Sequence, residues 1–425
     1  MKSFKVFLLV GLLIGAMGIM SMAATFSIYD WWTAGGEAQA IATVLNMYHQ
    51  AYPDVTIVQN PVAGGAGVNM QAVIKSLIFA GVPPTTFQVH AGWEMYQYAS
   101  ANLLQPITNL WQSEGWTNVF PQRIQQLCSY NGQFYAVPMD VHRANMVWYN
   151  KAIFDKLGLT MPTTIQGFIN MLPKIKAAGY TPIALGDSAN WTTAMLFEET
   201  LLAVAGPDKY NQYFEGKITA SDPAVQQTIQ YFKTELQYVN PNHASLTWDQ
   251  ACGLLVNGQA AMTIMGDWAN GYFMAAGWKP NVDYGGVAVP GTEGIYNLVV
   301  DSFPIPVGAP DVQTGYDWLK LIATVPAQAA FNQIKGSIPA RIDVPTTGFN
   351  PIQVANMEAL KKDVLTASAV HGSEAPVAFV TDWENALTVI QYHPDMSLQA
   401  CVNLLNMTAQ QDNLAGTVAS ANVNY

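Results

Sequence analysis

Short runs of β-branched and aromatic residues alternate along this chain with longer stretches whose apolar positions recur at helical spacing. Residues 24–31 form the first such run, and residues 33–36 have the composition of a turn. Helical spacing follows over 37–48, and residues 55–58 are again strand-like. Strand, helix and strand in this order predict a βαβ unit, so its first loop should lie at the carboxyl edge of a parallel sheet, where α/β proteins bind ligands.

The same alternation continues to the C-terminus and predicts an α/β fold throughout. Further strands are predicted at 86–91, 133–138, 146–149, 181–186, 259–265 and 298–305. Further helices are predicted at 69–80, 95–103, 151–157, 164–178, 191–205, 223–239, 248–257, 313–325 and 327–334. Residues 336–341 have the pattern of a polar loop that contains glycine, and the C-terminal third is mainly helical.

The N-terminus has the pattern of a secretory signal peptide over residues 1–24. Lys2 and Lys5 precede an apolar run over 7–20, and small residues follow at 21–24. An uncleaved membrane anchor is the alternative, although the apolar run is short for a membrane span. We therefore expect an exported protein, periplasmic or extracellular, and its length of 425 residues predicts two domains.

The charge balance, the cysteines and the histidines restrict the possible partners and cofactors of the protein. The formal charge is −11, and only 18 residues are Lys or Arg, so nucleic acid is not an expected partner. Charged residues make up 11 % of the chain against the usual quarter or so, which suggests a surface suited to a low-pH exterior. Cys128, Cys252 and Cys401 lack paired spacing and are expected to be buried, although one disulfide with one thiol left over remains open. The six histidines are scattered, so neither a metal nor a cofactor is expected.

Aromatic side chains stand beside polar ones, or polar groups stand alone, at several predicted strand ends and helix starts. These places are Trp31 and Trp32 with Glu37, Gln88 with His90, Trp248 and Trp268, and Asp301. Sugars need this mixture, because their C–H faces stack on aromatic rings and their hydroxyls need hydrogen-bond partners. Three alternatives remain: the indoles could fill cores, Glu37 and Asp301 could serve a secreted glycoside hydrolase, or the chain could be an exported scaffold with no small ligand.

A series of motifs in this order resembles the extracellular solute-binding proteins of sugar ABC importers, and more closely their glucose- and galactose-binding members. The motifs are Trp31-Trp32, residues 64–69 (GGAGVN), 87–92 (FQVHAG), 141–143 (VHR) with Trp148-Tyr149, 265–268 (MGDW), 301–303 (DSF), 335–338 (KGSI) with Ala340-Arg341, and 370–372 (VHG). Together they extend from Trp31 to His371 and cover most of the chain that follows the predicted signal peptide.

The resemblance implies a two-lobed periplasmic-binding-protein clam-shell whose lobes are joined by a hinge of crossing strands. The first lobe would comprise 25–138 and 302–342, and the second lobe 139–301 and 343–425. The sugar would be enclosed between them.

The resemblance also implies a set of sugar-binding residues and a role without catalysis. The first lobe would supply Trp31, Trp32, Glu37, Gln88 and His90, and the second lobe and hinge Trp248, Trp268, Asp301, Lys335 and His371. Carboxylates and the Gln88 amide would accept or share hydroxyl protons, while the two histidines and the lysine would donate. Such a protein would be a monomer that captures a monosaccharide such as glucose or galactose and delivers it to the permease subunits of the importer.

Overall fold

The computed structural model of the protein describes residues 24–33 and 35–421. Apart from Ala24, the predicted signal peptide 1–24 lies outside the described residues. Within these ranges, every helix is too short or too polar to cross a bilayer.

Strands and helices alternate over the described residues, as the sequence predicts. The strands are β1 (Thr25–Asp30), β2 (Thr56–Pro61), β3 (Thr86–Phe87), β4 (Val89–His90), β5 (Ser129–Tyr130), β6 (Gln133–Phe134), β7 (Ala136–Arg143), β8 (Met146–Asn150), β9 (Thr181–Ile183), β10 (Ala260–Ile264), β11 (Tyr284–Ala288), β12 (Ile295–Pro304), β13 (Ile338–Pro339) and β14 (Val364–Ala367).

The helices connect these strands and cover the sheets. They are α1 (Gly35–Ala51), α2 (Val68–Phe79), α3 (Trp93–Ser100), α4 (Thr108–Ser113), α5 (Gln122–Leu127), α6 (Lys151–Leu157), α7 (Ile165–Ala177), α8 (Trp191–Phe214), α9 (Pro223–Glu235), α10 (Trp248–Val256), α11 (Trp268–Ala275), α12 (Val312–Ile322), α13 (Val325–Lys335), α14 (Pro351–Lys362), α15 (Val377–Tyr392), α16 (Leu398–Gln411) and α17 (Leu414–Ser420).

The predicted βαβ unit is confirmed. Strand β1 pairs in parallel with β2 and with β3, giving the order β2-β1-β3, and α1 connects β1 to β2. A second sheet has the order β11-β8-β10-β9. Strand β8 is antiparallel to both of its neighbours, β10 and β11.

A third sheet joins distant parts of the chain in the order β13-β7-β12-β14, with β4 also on β12. The long strands β7 and β12 are antiparallel and buried along their whole length. The predicted strand 86–91 is divided at Gln88, since β3 pairs with β1 while β4 pairs with β12. This division brings His90 opposite Asp301.

The apolar side chains form two separate cores. The first core includes Phe26, Trp111 and Trp318, and the second includes Phe197 and Trp383. Strand β12 borders both, because alternate side chains of a strand point to opposite faces: Leu298 and Val300 enter the first core, and Val299 enters the second. The residue limits of the two lobes stay a prediction.

One sequence expectation is wrong, and three further strands were not expected. Residues 336–341 are not a polar loop, because Ile338 and Pro339 form the buried strand β13 beside β7. Strands β5, β11 and β14 were not predicted. The cysteines Cys128, Cys252 and Cys401 are buried and form no disulfide.

Candidate functional site

A cavity lies where the two cores face each other, and it contains about 400 Å³ of space outside the atoms, part of it open to solvent. Eight sequence-predicted residues line it: Trp31, Glu37, His90, Trp248, Trp268, Asp301, Lys335 and His371. The other lining residues are Gly65, Ala66, His142, Trp191 and Val299.

Indoles from both cores form the walls of the cavity. Trp31 belongs to the first core, and its ring centroid lies 4.8 Å from that of His90, with the two rings tilted at 48° to each other. Trp191 and Trp268 belong to the second core, with ring centroids 6.2 Å apart, and the half-buried Trp248 packs against that core. Aromatic surface from two separate cores therefore faces one small space.

The loop before α2 fits between these indoles because it is made of small residues. A Cβ on Gly65 would lie 3.1 Å from Cζ2 of Trp191. Gly67 has a φ of +70°, and a Cβ there would lie 2.7 Å from Cε3 of Trp31. Only glycine satisfies both the backbone conformation and the space at position 67. The glycine run therefore lets the first core's loop approach the tryptophans closely.

Asp301 and Lys335 form the charged floor of the cavity. One oxygen of Asp301, Oδ1, accepts a hydrogen bond from Gln88 Nε2 at 3.0 Å, and the other, Oδ2, from Lys335 Nζ at 2.8 Å. Burial would raise the pKa of Asp301, but the Lys335 ammonium and the nearby imidazoles hold it well below its usual range. Asp301 is therefore a charged acceptor at neutral pH.

His142 is a cavity residue that the sequence reasoning missed. Its Nδ1 lies 2.5 Å from Asp267 Oδ1, and its Nε2 lies 3.2 Å from Asp140 Oδ2. Burial and Lys335 act to lower the pKa of His142, but the carboxylates of Asp140 and Asp267 outweigh them and raise it well above its usual value. Because one carboxylate lies beside each ring nitrogen, His142 is a protonated imidazolium. The alternation Asp140-Val-His142 on a buried strand was the available sequence signal.

Asp140, His142 and Asp301 also offer ligand atoms within 4.8 Å of one another, which is the spacing of a metal site. The Lys335 ammonium already lies 3.2 Å from Asp140 Oδ2 and 2.8 Å from Asp301 Oδ2. Because this ammonium supplies the positive charge between the two carboxylates, the geometry favours an ion-pair network over a divalent cation.

Glu37 lies in the first turn of α1 and contributes to the cavity wall. Burial raises the pKa of Glu37 to about 7, against the lowering effect of Lys335 and His142. At neutral pH the carboxyl group therefore exists in both protonation states, and it can accept or donate a hydrogen bond.

Two predicted binding residues lie behind the cavity wall instead of on it. Trp32 is buried with its ring 4.7 Å from that of Phe331, and the Lys335 ammonium lies 4.2 Å from the Trp32 ring. The buried Gln88 accepts from the Trp31 backbone N–H at 3.1 Å and donates to Asp301. Both residues hold side chains that line the cavity.

The two predicted histidines differ in their surroundings. His90 Nδ1 lies 2.6 Å from Glu94 Oε2, whereas His371 Nδ1 lies 2.8 Å from the hydroxyl of Ser368. Burial, together with the charges of His90 and His142, lowers the pKa of His371 well below its usual value. His371 is therefore neutral.

Trp191 is the other ring that the sequence reasoning missed. It begins helix α8, just as Trp248 begins α10 and Trp268 begins α11. An aromatic residue at the start of a helix in the second half of the chain was therefore a recurring signal, but position 191 carries no neighbouring carboxylate or histidine to mark it.

Two α/β cores that border one pair of crossing strands, with a cavity between them, define a binding protein of the two-lobed type. A family model described as bacterial extracellular solute-binding protein matches residues 27–329, and the chain belongs to this family. An extracellular location agrees with the predicted export.

Several curated proteins are related along most of their length. An uncharacterised extracellular-binding protein of an ABC transporter from Pyrococcus horikoshii is 45 % identical over 89 % of this chain and 86 % of its own. A probable sugar-binding periplasmic protein from Mesorhizobium japonicum is 35 % identical over 84 % of this chain and 87 % of its own. A glucose-binding protein from Saccharolobus solfataricus is 29 % identical over 67 % of this chain and 55 % of its own.

Solved structures confirm the two-lobed α/β fold. A bacterial solute receptor described as having an exclusive preference for β-D-galactopyranose superposes with a TM-score of 0.79 at 19 % identity, over 92 % of this chain and 99 % of its own. A chitin oligosaccharide binding protein superposes with a TM-score of 0.80 at 22 % identity, over 93 % of this chain and 99 % of its own.

Proposed function

We propose that this chain is the substrate-binding subunit of an ABC importer and that it captures a monosaccharide such as glucose or galactose for a membrane permease. The observation that carries the proposal is the meeting of Trp31 from one core with Trp191 and Trp268 from the other around one small polar cavity. The sugar-binding description of the Mesorhizobium relative supports the same class of ligand.

The chemistry of the cavity suits a sugar ring. Stacking buries the C–H faces of the ring on indole, which contributes about 25 cal/mol per Å² of apolar area. Asp301 can accept hydroxyl protons, whereas Lys335 can donate. A sugar hydroxyl both donates and accepts, so a mixed lining of this kind satisfies several hydroxyls at once.

The cavity is smaller than the two hollows that adjoin it, which favours a single ring. A hollow of about 740 Å³ adjoins the cavity beside Tyr272 and Ala275, and another of about 840 Å³ adjoins it beside Glu384 and Asn385. A longer sugar would have to extend into one of these two hollows. Disaccharides therefore distinguish a single-ring site from a longer one.

The two-sided wall also suggests how the protein signals to a permease. A sugar that contacts indoles of both cores binds more tightly to a closed arrangement than to an open one. Binding then shifts the equilibrium toward the closed form, which the permease recognises as the loaded state.

The alternative, a glycoside hydrolase that uses Glu37 and Asp301, is less well supported. Hydrolysis requires one carboxylate to attack or to activate water. Both oxygens of Asp301 are engaged by Gln88 and Lys335, so this carboxylate is held in place as an acceptor.

The test is a thermal-shift and calorimetry screen of the protein against glucose, galactose, xylose, maltose and a chromogenic glucoside. We expect a raised Tm and a changed Trp fluorescence with one or more hexoses, and unaltered sugar afterwards. Turnover of the glucoside that is lost in Glu37→Gln would instead establish the hydrolase. A shift with maltose alone would contradict the monosaccharide assignment, and no shift with any sugar would contradict the proposal as a whole.

A further inference from the structure

A chain of buried hydrogen bonds connects His371 in the cavity wall to Glu198 in helix α8. His371 Nδ1 lies 2.8 Å from Ser368 Oγ, and that hydroxyl lies 2.8 Å from Glu198 Oε2. The Ser368 oxygen also accepts the backbone N–H of His371 at 3.3 Å. All three side chains are buried.

The other oxygen of Glu198 fixes the carboxylate as an acceptor. Glu198 Oε1 receives the backbone N–H groups of Ala369 at 2.6 Å and Val370 at 3.3 Å, and both groups can only donate. Burial raises the pKa of both Glu198 and Glu199, and the neighbouring charge of Glu198 raises that of Glu199 further. Glu199 therefore takes the first proton of the pair, and Glu198 keeps its charge.

The direction of the remaining bonds follows from proton counting. A hydroxyl has one proton, and an ionised carboxylate has none to give, so Ser368 must donate to Glu198. The Ser368 oxygen can then only accept from His371, which requires the proton of the neutral imidazole to be on Nδ1. Nε2 has no hydrogen-bond partner within the described part of the chain, and His371 lines the cavity.

We infer that Glu198 and Ser368 are positioning residues that fix His371 as the Nδ1–H tautomer, so that its bare Nε2 is a hydrogen-bond acceptor for one donating hydroxyl of the ligand. This inference rests on the proposed sugar-binding function for its ligand, but not for the tautomer itself. It reverses the donor role that the sequence reasoning gave to His371.

A contact to Nε2 of His371 should therefore select for a ligand hydroxyl that donates a proton. Lys335 is a donor, and a fluorine atom in place of a sugar hydroxyl still offers it a weak acceptor. Nε2 of His371 instead needs a proton from the ligand, which fluorine cannot supply. The hydroxyl that faces His371 should therefore be read as a donor, in addition to any hydroxyl that donates to Asp301.

The first experiment needs no ligand. Two-bond ¹H–¹⁵N correlation spectra of the ¹⁵N-histidine-labelled protein at pH 7.5, assigned with His371→Gln, report which nitrogen of His371 carries the proton. We expect Nδ1–H in the wild type. An Nε2–H or doubly protonated His371 in the wild type would overturn the inference, whatever the protein binds.

Glu198→Gln is a nearly isosteric substitution that should reverse the direction of the hydrogen bonds from residue 198 through Ser368 to His371. The backbone N–H groups of Ala369 and Val370 hold the amide oxygen in the place of Oε1, so the NH₂ group must face Ser368. Ser368 then accepts from Gln and donates to His371 Nδ1, which moves the imidazole proton to Nε2. We expect this switch in the spectrum; an unchanged tautomer in a variant with wild-type Tm would contradict the role of Glu198.

Ser368 variants and fluorinated sugars complete the test. Ser368→Ala should abolish the tautomer preference, and Ser368→Thr should restore it. One monodeoxyfluoro analogue of glucose or galactose should bind the wild type roughly tenfold more weakly than the parent sugar, and Glu198→Gln should remove most of that difference. A fluorine penalty at a hydroxyl that donates to Asp301 should persist in Glu198→Gln. If no sugar binds but His371 carries its proton on Nδ1, the proposed function is wrong and the inferred tautomer of His371 is still correct. A sugar that binds with no such fluorine penalty would overturn the acceptor role.

Discussion

Trp31 and Trp32 are adjacent in the chain but have different surroundings. Trp31 lines the cavity, whereas Trp32 is only 1 % exposed and packs on Phe331 and Phe303 of the first core. Lys335 connects the two environments, since its ammonium lies over the Trp32 ring while it pairs with Asp301. The buried Trp32 ring therefore helps to position the Lys335 ammonium beside Asp301 at the bottom of the cavity.

A pair of alanine variants separates binding from stability at this scale. Trp248→Ala should weaken sugar binding about tenfold or more, because the half-buried Trp248 contributes wall area, while the Tm without ligand changes little. Trp32→Ala should instead cost about 3–5 kcal/mol of unfolding free energy, because it leaves a cavity in the core. Calorimetric titration and urea unfolding measure the two quantities. Equal effects of both variants on stability would show that Trp248 is a core residue.

At the scale of elements, the helices α11 and α13 approach each other unusually closely. A Cβ on Gly271 in α11 would lie 2.1 Å from the carbonyl oxygen of Lys335 at the end of α13. Trp268 begins α11, and Lys335 ends α13, so this glycine contact sets the distance between an indole of the second core and the ammonium of the cavity floor. The contact joins elements of different cores, so opening the cleft would relieve any clash there.

Gly271→Ala should therefore weaken ligand binding at least tenfold while the free protein keeps its Tm to within a few degrees. The added methyl group opposes closure, and Ala in place of Gly otherwise favours a helix by about 1 kcal/mol. Gly253→Ala in α10 is the matched control, because its Cβ would meet only the Tyr272 hydroxyl, at 3.1 Å, and it should bind normally. Small-angle scattering with saturating sugar should show the Gly271 variant to be more open than the wild type. Wild-type affinity in Gly271→Ala would refute this account.

At the scale of the whole molecule, many carboxyl groups hold their protons unusually strongly. Burial raises the pKa of a set of carboxyls to between about 6 and about 8, namely Asp30, Glu37, Glu374, Glu235 and Glu384. Between about pH 5 and pH 8 the unfolded chain has released these protons while the native protein still holds them, so stability falls as the pH rises. His142, whose pKa is raised by its carboxylate partners, acts in the same direction, whereas the buried neutral His371 opposes it.

We therefore expect a higher unfolding free energy at pH 5 than at pH 8, measured by urea denaturation at constant ionic strength. The pKa of Asp301 is lowered by Lys335 and the imidazoles against the effect of burial, so its stabilising contribution to the native state is lost only at still lower pH. The free energy of unfolding should therefore be highest between about pH 4 and pH 6. This agrees with the low-pH exterior suggested by the small share of charged residues. A stability maximum at or above neutrality would contradict it.

Glu235→Gln is the matched variant for this pH dependence. Glu235 is fully buried, its pKa is raised by burial to about 8, and the Thr200 hydroxyl that donates to it can also donate to Gln. The variant should gain about 1–3 kcal/mol over the wild type at pH 8 and little at pH 5, since one pKa unit corresponds to about 1.36 kcal/mol. An equal gain at both pH values would indicate a packing effect instead.

The sequence by itself determined the α/β class, the βαβ unit around Trp31 and most of the residues that line the cavity. These features depend on local periodicity and on side chains at strand ends and helix starts, which nearby residues specify. It could not reveal β13, because the burial of Ile338 and Pro339 comes from a strand almost two hundred residues away in the chain.

Only the tertiary structure decided which polar groups face the cavity and in what protonation state. The roles of His142 and His371 follow from partners distant in the chain, Asp267 for the first and Glu198 through Ser368 for the second. Likewise, Trp32 and Gln88 carry the same local signals as Trp31 and His90, but packing against Phe331 and hydrogen bonding to Asp301 place them behind the wall. The physical reason is that burial and electrostatic fields depend on all atoms within several ångströms, whatever their position in the sequence.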